Sequence, residues 1–85
     1  MKVAHTNESQ NFFMNIYYIA TDTGYGITKL EKKAGLATGH CIMGIRRNSS
    51  PTLRTAKKLS DIVGFTIDEL MLDPKEFRRI YNSDN

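Results

Sequence analysis

The segment that decides the fold covers residues 34–51 and reads AGLATGHCIMGIRRNSSP. Its pattern indicates the end of one helix, a glycine-containing turn and a second short helix, which we predict at residues 29–34 and 39–46. The second helix is intrinsically weak, because Gly39 and Gly44 each cost it roughly 1 kcal/mol relative to alanine. A weak helix beside two arginines indicates a binding surface at which glycine lets the backbone approach a partner closely.

Length and cysteine usage exclude several classes of protein. The chain has 85 residues, which fits one small domain with a modest core. Its single cysteine excludes an intramolecular disulfide, and no histidine and cysteine spacing is typical of zinc, so we expect no metal and no cofactor. No paired carboxylates or activated nucleophile stand out, so we expect no enzyme. The most apolar run, FFMNIYYIA, is too short to span a bilayer, and a reducing cytoplasm is the expected location.

Positive charge is concentrated in the middle of the chain. Residues 29–58 contain eight lysines and arginines against one acidic residue, Glu31, which gives a net charge of +7. The rest of the chain has four basic and eight acidic residues, a net charge of −4. Such asymmetry indicates a basic face for a polyanion, although an ordinary solvated surface is the alternative.

Hydrophobic spacing predicts an all-α chain without strands. A first helix over residues 9–23 has an apolar face made of Phe12, Phe13, Ile16, Ile19 and Ala20. A later helix begins after Thr52 and ends at Gly64. Its expected inward side chains are Leu53, Ala56, Leu59, Ile62 and Val63.

Three capping boxes mark further helix starts, at residues 28–31, 66–69 and 73–76. In the first box the Thr28 hydroxyl would accept from the N–H of Glu31, and the Glu31 carboxylate would accept from the N–H of Thr28. Left-handed glycines are expected at helix ends, at Gly24, Gly35 and Gly64.

The second helix of the opening segment has two predicted faces. Ile42 and Ile45 would dock it on the core, and Thr38 would cap its start. In a helix-turn-helix this helix enters the major groove, with its outward side chains on base edges. Cys41 is expected to be half-buried and unreactive.

Residues 27–72 resemble the small DNA-binding domains of Cro and the lambda-type phage repressors, the XRE family. The resemblance depends on an ordered series: Ile27-Thr28, Leu30, Ala34-Gly35-Leu36, Pro51-Thr52-Leu53, and IVGFTIDEL at residues 62–70. One departure is Glu31, which stands where the family usually has alanine.

The resemblance implies a compact five-helix lambda-repressor-like domain with a helix-turn-helix over residues 9–72. A flexible arm at residues 1–8 would precede it, and a short C-terminal helix and tail at residues 73–85 would follow. The implied function is sequence-specific binding of double-stranded DNA as a transcriptional regulator. It would be a phage repressor or Cro-like protein in the cytoplasm of a bacterial host cell, acting by covering a promoter.

The predicted contacts fall into three groups. Base edges would be read by Thr38, Gly39, His40 and Met43. Phosphates would be bound by Thr28, Lys29, Arg46, Arg47, Asn48 and Ser49. A homodimer would form through Phe77, Ile80 and Tyr81, for which packing against the chain's own core is the alternative. An antitoxin-type protein-interaction module of the same fold, whose main role is to hold a toxin, is the alternative function. For the regulator, a protein anti-repressor is a further partner to consider.

Overall fold

The computed structural model describes residues 8–47 and 51–83, which form an all-α structure. Its six helices are α1 (Glu8–Thr23), α2 (Ile27–Lys33), α3 (His40–Arg47), α4 (Leu53–Val63), α5 (Ile67–Leu70) and α6 (Pro74–Ser83). The predicted all-α class and the predicted order of helices are confirmed. The predicted arm at residues 1–8 and the predicted phosphate contacts Asn48 and Ser49 lie outside the described residues, except that α1 begins at Glu8.

The first helix is the centre of the core. α1 packs against each of the other five helices, and its predicted apolar face is buried. The side chains of Phe12, Ile16, Leu59, Leu70 and Phe77 are fully buried and lie in one cluster. Since residues from both ends of the chain meet in this cluster, α6 belongs to the same core as α1.

Amide side chains on α1 bind backbone carbonyls at the ends of other helices. The side-chain nitrogen of Asn15 donates to the carbonyl oxygens of Leu70 and Leu72, both at 2.9 Å. The Gln10 amide donates in the same way to the carbonyl of Ile45, at 3.1 Å. Carbonyls at helix ends lack partners within their own helix, so these bonds fix the ends of α3 and α5 to α1.

Two of the three predicted capping boxes are present in whole or in part. Thr66 and Glu69 bond each other's backbone N–H groups reciprocally, at 2.9 and 3.0 Å, and start α5. The Asp73 carboxylate accepts from the N–H of Lys75 at the start of α6. Thr52 caps α4 through the N–H of Thr55. These starts follow from contacts within four residues of sequence.

Two predictions about packing are wrong. Leu53 is 76% exposed, because it is the first residue of α4 and lies beyond the core that Ala56 and Leu59 enter. The predicted dimer face on α6 is not available in this structure, since Phe77 is fully buried and Tyr81 is 7% exposed within the chain itself.

The buried side of α6 is held by aromatic and polar contacts. The Phe77 ring lies 5.1 Å from the ring of Phe65, centroid to centroid. The Tyr81 hydroxyl donates to the Asp22 carboxylate at 2.7 Å. This hydrogen bond, with a contribution from burial, raises the pKa of Tyr81 to about 12. Of the three predicted dimer residues, Phe77 and Tyr81 are buried and Ile80 is half-buried. The helix α6 therefore packs against the core of its own chain, which was the alternative to a dimer contact.

Within the described part of the chain, no helix has the length and apolar character that crossing a bilayer requires.

Candidate nucleic-acid interface

The connection between α2 and α3 is a Schellman turn followed by a short link. Ala34 ends α2, the N–H of Gly35 donates to the carbonyl of Lys32, and the N–H of Leu36 donates to the carbonyl of Glu31. Gly35 has φ of 75°, the left-handed conformation that this motif needs. The predicted glycine end is confirmed, and residues 34–39 separate the two helices.

The Glu31 side chain caps the start of α3. Its two carboxylate oxygens accept from the backbone N–H groups of Gly39 and Cys41, each at 2.9 Å. Glu31 is 1% exposed; its bond to Cys41 is buried and its bond to Gly39 is partly buried. Free N–H groups at a helix start carry partial positive charge, and a carboxylate there is stabilised by both hydrogen bonds and the helix dipole.

This geometry corrects two predictions about helix starts. α2 begins at Ile27 after Gly26, with no side-chain cap, so the predicted box between Thr28 and Glu31 is wrong. Glu31 also takes the place that was predicted for Thr38, which is exposed. The physical reason is that the carboxylate bonds two N–H groups at the start of α3, one of them buried, whereas the box would offer only the N–H of the exposed Thr28.

Cys41 is completely buried beside Glu31. Burial, together with the adjacent carboxylate and a hydrogen bond from the thiol to it, raises the pKa of Cys41 to about 12. Because the thiolate is the reactive form, this thiol is inert at neutral pH. The structure therefore supports the predicted absence of a nucleophile at this position, although the side chain is fully buried and not half-buried.

The buried residues of α3 are Cys41 and Gly44. Of the predicted docking pair, Ile45 is partly buried and packs against the core, whereas Ile42 is not among the side chains packed against it. A Cβ on Gly44 would lie 2.5 Å from Cε2 of Phe13, so only glycine admits that ring. Ile42 and Ile45 are half-buried and line a groove between α1, α3 and α6. The weak helix former is thus explained by packing, and the predicted role of Gly44 in approaching DNA is wrong.

The structure brings all four predicted base-reading residues together. A surface concavity of about 320 Å³ is lined by Phe13, Ala37, Thr38, Gly39, His40, Met43, Gly44 and Arg47. Thr38, Met43 and Arg47 are exposed there, whereas His40 is half-buried with its ring 5.8 Å from the Phe13 ring. Gly39 is a poorer candidate than predicted, because its N–H already donates to Glu31.

The predicted phosphate-binding residues are distributed over two helices. Thr28 and Lys29 are exposed on the first turn of α2, where the Lys29 ammonium lies 5.9 Å from the Tyr25 ring centroid. Arg46 and Arg47 are exposed at the end of α3. Of these four, only Arg47 lines the concavity.

Burial of Glu31 changes the charge of this surface. All eight lysines and arginines of residues 29–58 are exposed, on α2, α3 and α4, whereas Glu31 is buried. The Nζ atom of Lys58 lies 3.7 Å from the position that a Cβ on Gly35 would occupy, which brings α4 to the turn after α2. These elements therefore present eight cations against one exposed carboxylate, that of Asp61 near the end of α4.

Sequence reasoning missed the buried polar residues, although a signal was present. Glu31 falls in the helical spacing of Ile27, Leu30 and Ala34, and Asn15 falls in that of Phe12, Ile16 and Ile19. A polar residue on an apolar stripe must find hydrogen-bond partners inside the protein. The pattern indicates that such a partner exists, but it does not identify it.

Comparison of the chain with protein-family models, with curated proteins and with solved structures finds no match.

Proposed function

We propose that this protein binds double-stranded DNA sequence-specifically and regulates transcription by occupying a promoter, in the manner of Cro and the lambda-type repressors that its sequence resembles. The observation that carries the proposal is the exposed charge of α2, α3 and α4: eight cations are exposed, Glu31 is buried, and Asp61 near the end of α4 is their one exposed carboxylate. Lysine and arginine side chains neutralise backbone phosphates, which supply most of the affinity of such proteins. A short helix with exposed polar and apolar side chains lies among these cations.

In this proposal α2 and α3 form a helix-turn-helix with α3 in the major groove. Thr38, His40 and Met43 contact base edges, and Arg46 and Arg47 contact phosphates. One module reads only a few base pairs, so two copies are expected on a two-fold site. The contact between the copies is not the predicted one, since Phe77 and Tyr81 are buried within each chain.

The salt dependence of DNA binding tests the proposal. If two copies neutralise about six or more phosphates, raising salt from about 50 to 200 mM should weaken binding roughly a thousandfold. Lys58→Glu should weaken binding strongly, whereas Lys75→Glu on α6 makes the same change in net charge and should have a small effect. Equal effects of the two substitutions, or affinity that is independent of salt, would contradict a DNA surface at α2–α4.

A second function, a protein-interaction module, is favoured by one other observation. The groove between α1, α3 and α6 measures about 430 Å³ and is lined by Met14, Tyr17, Tyr18, Thr21, Ile42, Ile45, Pro74 and Arg78. Met14 and Tyr17 are 39% and 36% exposed, and the Arg78 guanidinium lies over the Tyr18 ring at 4.4 Å. Apolar walls beside a cation fit an amphipathic helix with an acidic residue, contributed by a partner protein.

The two functions are distinguished by the substitution Tyr17→Lys. It places a charge in the groove, which none of the eight α2–α4 cations lines, and should leave discrimination between DNA sequences unchanged. If the protein instead copurifies with a second chain at fixed stoichiometry, fails to select DNA, and loses that chain through Tyr17→Lys, the protein-interaction module is the correct function.

A further inference from the structure

We propose that Glu31 is a positioning residue for the exposed face of α3, so that preference for DNA sequence depends on it while attraction to phosphate does not. The inference rests on the proposed function for its DNA readout. The part that concerns how Glu31 fixes the position of α3 rests on the structure alone.

Glu31 connects α2 and α3 through both its backbone and its side chain. Its backbone carbonyl accepts from the N–H of Leu36 at 2.8 Å and closes the end of α2. Its carboxylate accepts from the N–H groups of Gly39 and Cys41 and so caps the start of α3. Because both ends of the link between the helices are bonded to one residue, Glu31 sets where α3 starts relative to α2.

The carboxylate also determines what α3 can offer to a ligand. Helix starts commonly bind phosphate through their free N–H groups. Here two of those groups are occupied inside the protein by Glu31, which is 1% exposed. Recognition by α3 therefore falls to its exposed side chains, whose positions depend on the start of the helix.

The two ends of α3 should respond differently when Glu31 is changed. Thr38 and His40 flank Gly39, whose N–H the carboxylate holds. Arg47 lies seven residues beyond His40, about 10 Å along the helix axis. Loss of the carboxylate should displace the start of α3 more than its end, and sequence discrimination should fall before phosphate binding does.

The experiment compares affinity for a selected DNA site with affinity for random DNA, for the full chain and for Glu31→Gln and Glu31→Ala. We expect the ratio of the two dissociation constants to fall roughly tenfold, the discrimination of one base pair, with random-DNA affinity nearly unchanged. Asn15→Ala is the matched control, because it removes a buried hydrogen bond to the Leu70 carbonyl and a partly buried one to the Leu72 carbonyl, and none to α3. It should lower stability and leave the ratio unchanged.

Equal loss of selected-site and random-DNA affinity in the Glu31 variants, as for a partly unfolded protein, would overturn the proposal. Hydrogen exchange provides a readout that needs no DNA and applies to Glu31→Gln, which keeps the shape of the side chain. The N–H groups of Gly39 and Cys41 should exchange faster in that variant, whereas the N–H of Leu70 should not. Unchanged exchange at Gly39 and Cys41 would show that Glu31 does not position the start of α3. Failure of the unmodified chain to select DNA would reject only the proposed DNA-binding function.

Discussion

The ring of Phe13 occupies the space in which a side chain on residue 44 would lie, with Cε2 only 2.5 Å from the position of a Cβ on Gly44. Close packing of this kind lets α3 approach α1 and is the reason that a glycine stands inside a short helix. Helix propensity and packing therefore act in opposite directions at this position.

Gly44→Ala should destabilise the protein by about 1 to 3 kcal/mol, because overpacking outweighs the roughly 1 kcal/mol that alanine gains in a helix. Urea unfolding of the variant measures the change in free energy. The same substitution in a Phe13→Leu background is the control, and there it should be neutral or favourable, since the ring that the methyl group would strike is gone. A stabilising effect of Gly44→Ala alone would show that the two helices are not in contact here.

Tyr81 should make stability depend on pH in the alkaline range. Its pKa is raised from 10.0 to about 12 by the hydrogen bond to Asp22, so the neutral phenol is favoured in the folded chain. The resulting stabilisation is complete below pH 10 and is lost as the pH rises toward 12, because the unfolded chain ionises first. Tyr81→Phe should be less stable by about 1 kcal/mol at neutral pH.

The measurement is thermal unfolding of both chains between pH 8 and about pH 12. The difference between the two chains should shrink over the upper two pH units, since the other titrating groups are common to both. A difference in stability that stays constant to pH 12 would mean that the hydrogen bond to Asp22 does not raise the pKa of Tyr81.

Cys41 should resist thiol reagents in the folded protein. Its pKa is raised from 9.0 to about 12, mainly by burial, so very little thiolate forms near pH 8. Iodoacetamide should therefore react slowly with the native chain and at the rate of an ordinary thiol after unfolding in urea. Rapid modification without urea would place the thiol at the surface.

Two groups of exposed residues on and beside α3 should contribute separately to affinity and to specificity. Arg46→Ala or Arg47→Ala should weaken binding to all DNA sequences alike, because phosphate contacts carry no sequence information. Thr38→Ala or Met43→Ala should change preference at particular base pairs, by about 1 to 3 kcal/mol each. Selection of binding sites from random DNA, repeated for each variant, measures both effects. If the arginine variants change the preferred sequence, α3 is docked differently.

Local signals in the sequence were sufficient for most helix boundaries. The box of Thr66 and Glu69 depends on residues three apart, and the structure confirms it. Glu31 had an equally good local partner in Thr28, yet it binds Gly39 and Cys41, eight and ten residues away. The choice between them depends on how α2 and α3 approach each other, which no short window of sequence contains.

The same limit applies to the faces of α3. Hydrophobicity favoured Ile42 and Ile45 as the docking pair, and Ile45 does pack against the core, but the fully buried positions of α3 are Cys41 and Gly44. The space beside the Phe13 ring admits no side chain at residue 44. Side-chain size, and not hydrophobicity alone, decided which residues of α3 lie deepest. The exposed positions of Thr38 and Met43 were nevertheless correctly predicted, because they lie away from both pairs.

The hydrogen bonds from Asn15 to the carbonyls of Leu70 and Leu72 have a consequence for biosynthesis. The carbonyl groups that Asn15 binds are synthesised about 55 residues after Asn15 itself. At about 5 to 20 residues per second, a ribosome needs roughly 3 to 11 seconds to add them. During that interval the apolar face of α1 has no completed core to enter. We therefore expect folding to be completed only after α5 and the start of α6 have been synthesised, so that a chain truncated before Leu70 exposes Phe12 and Ile16 to chaperones and proteases.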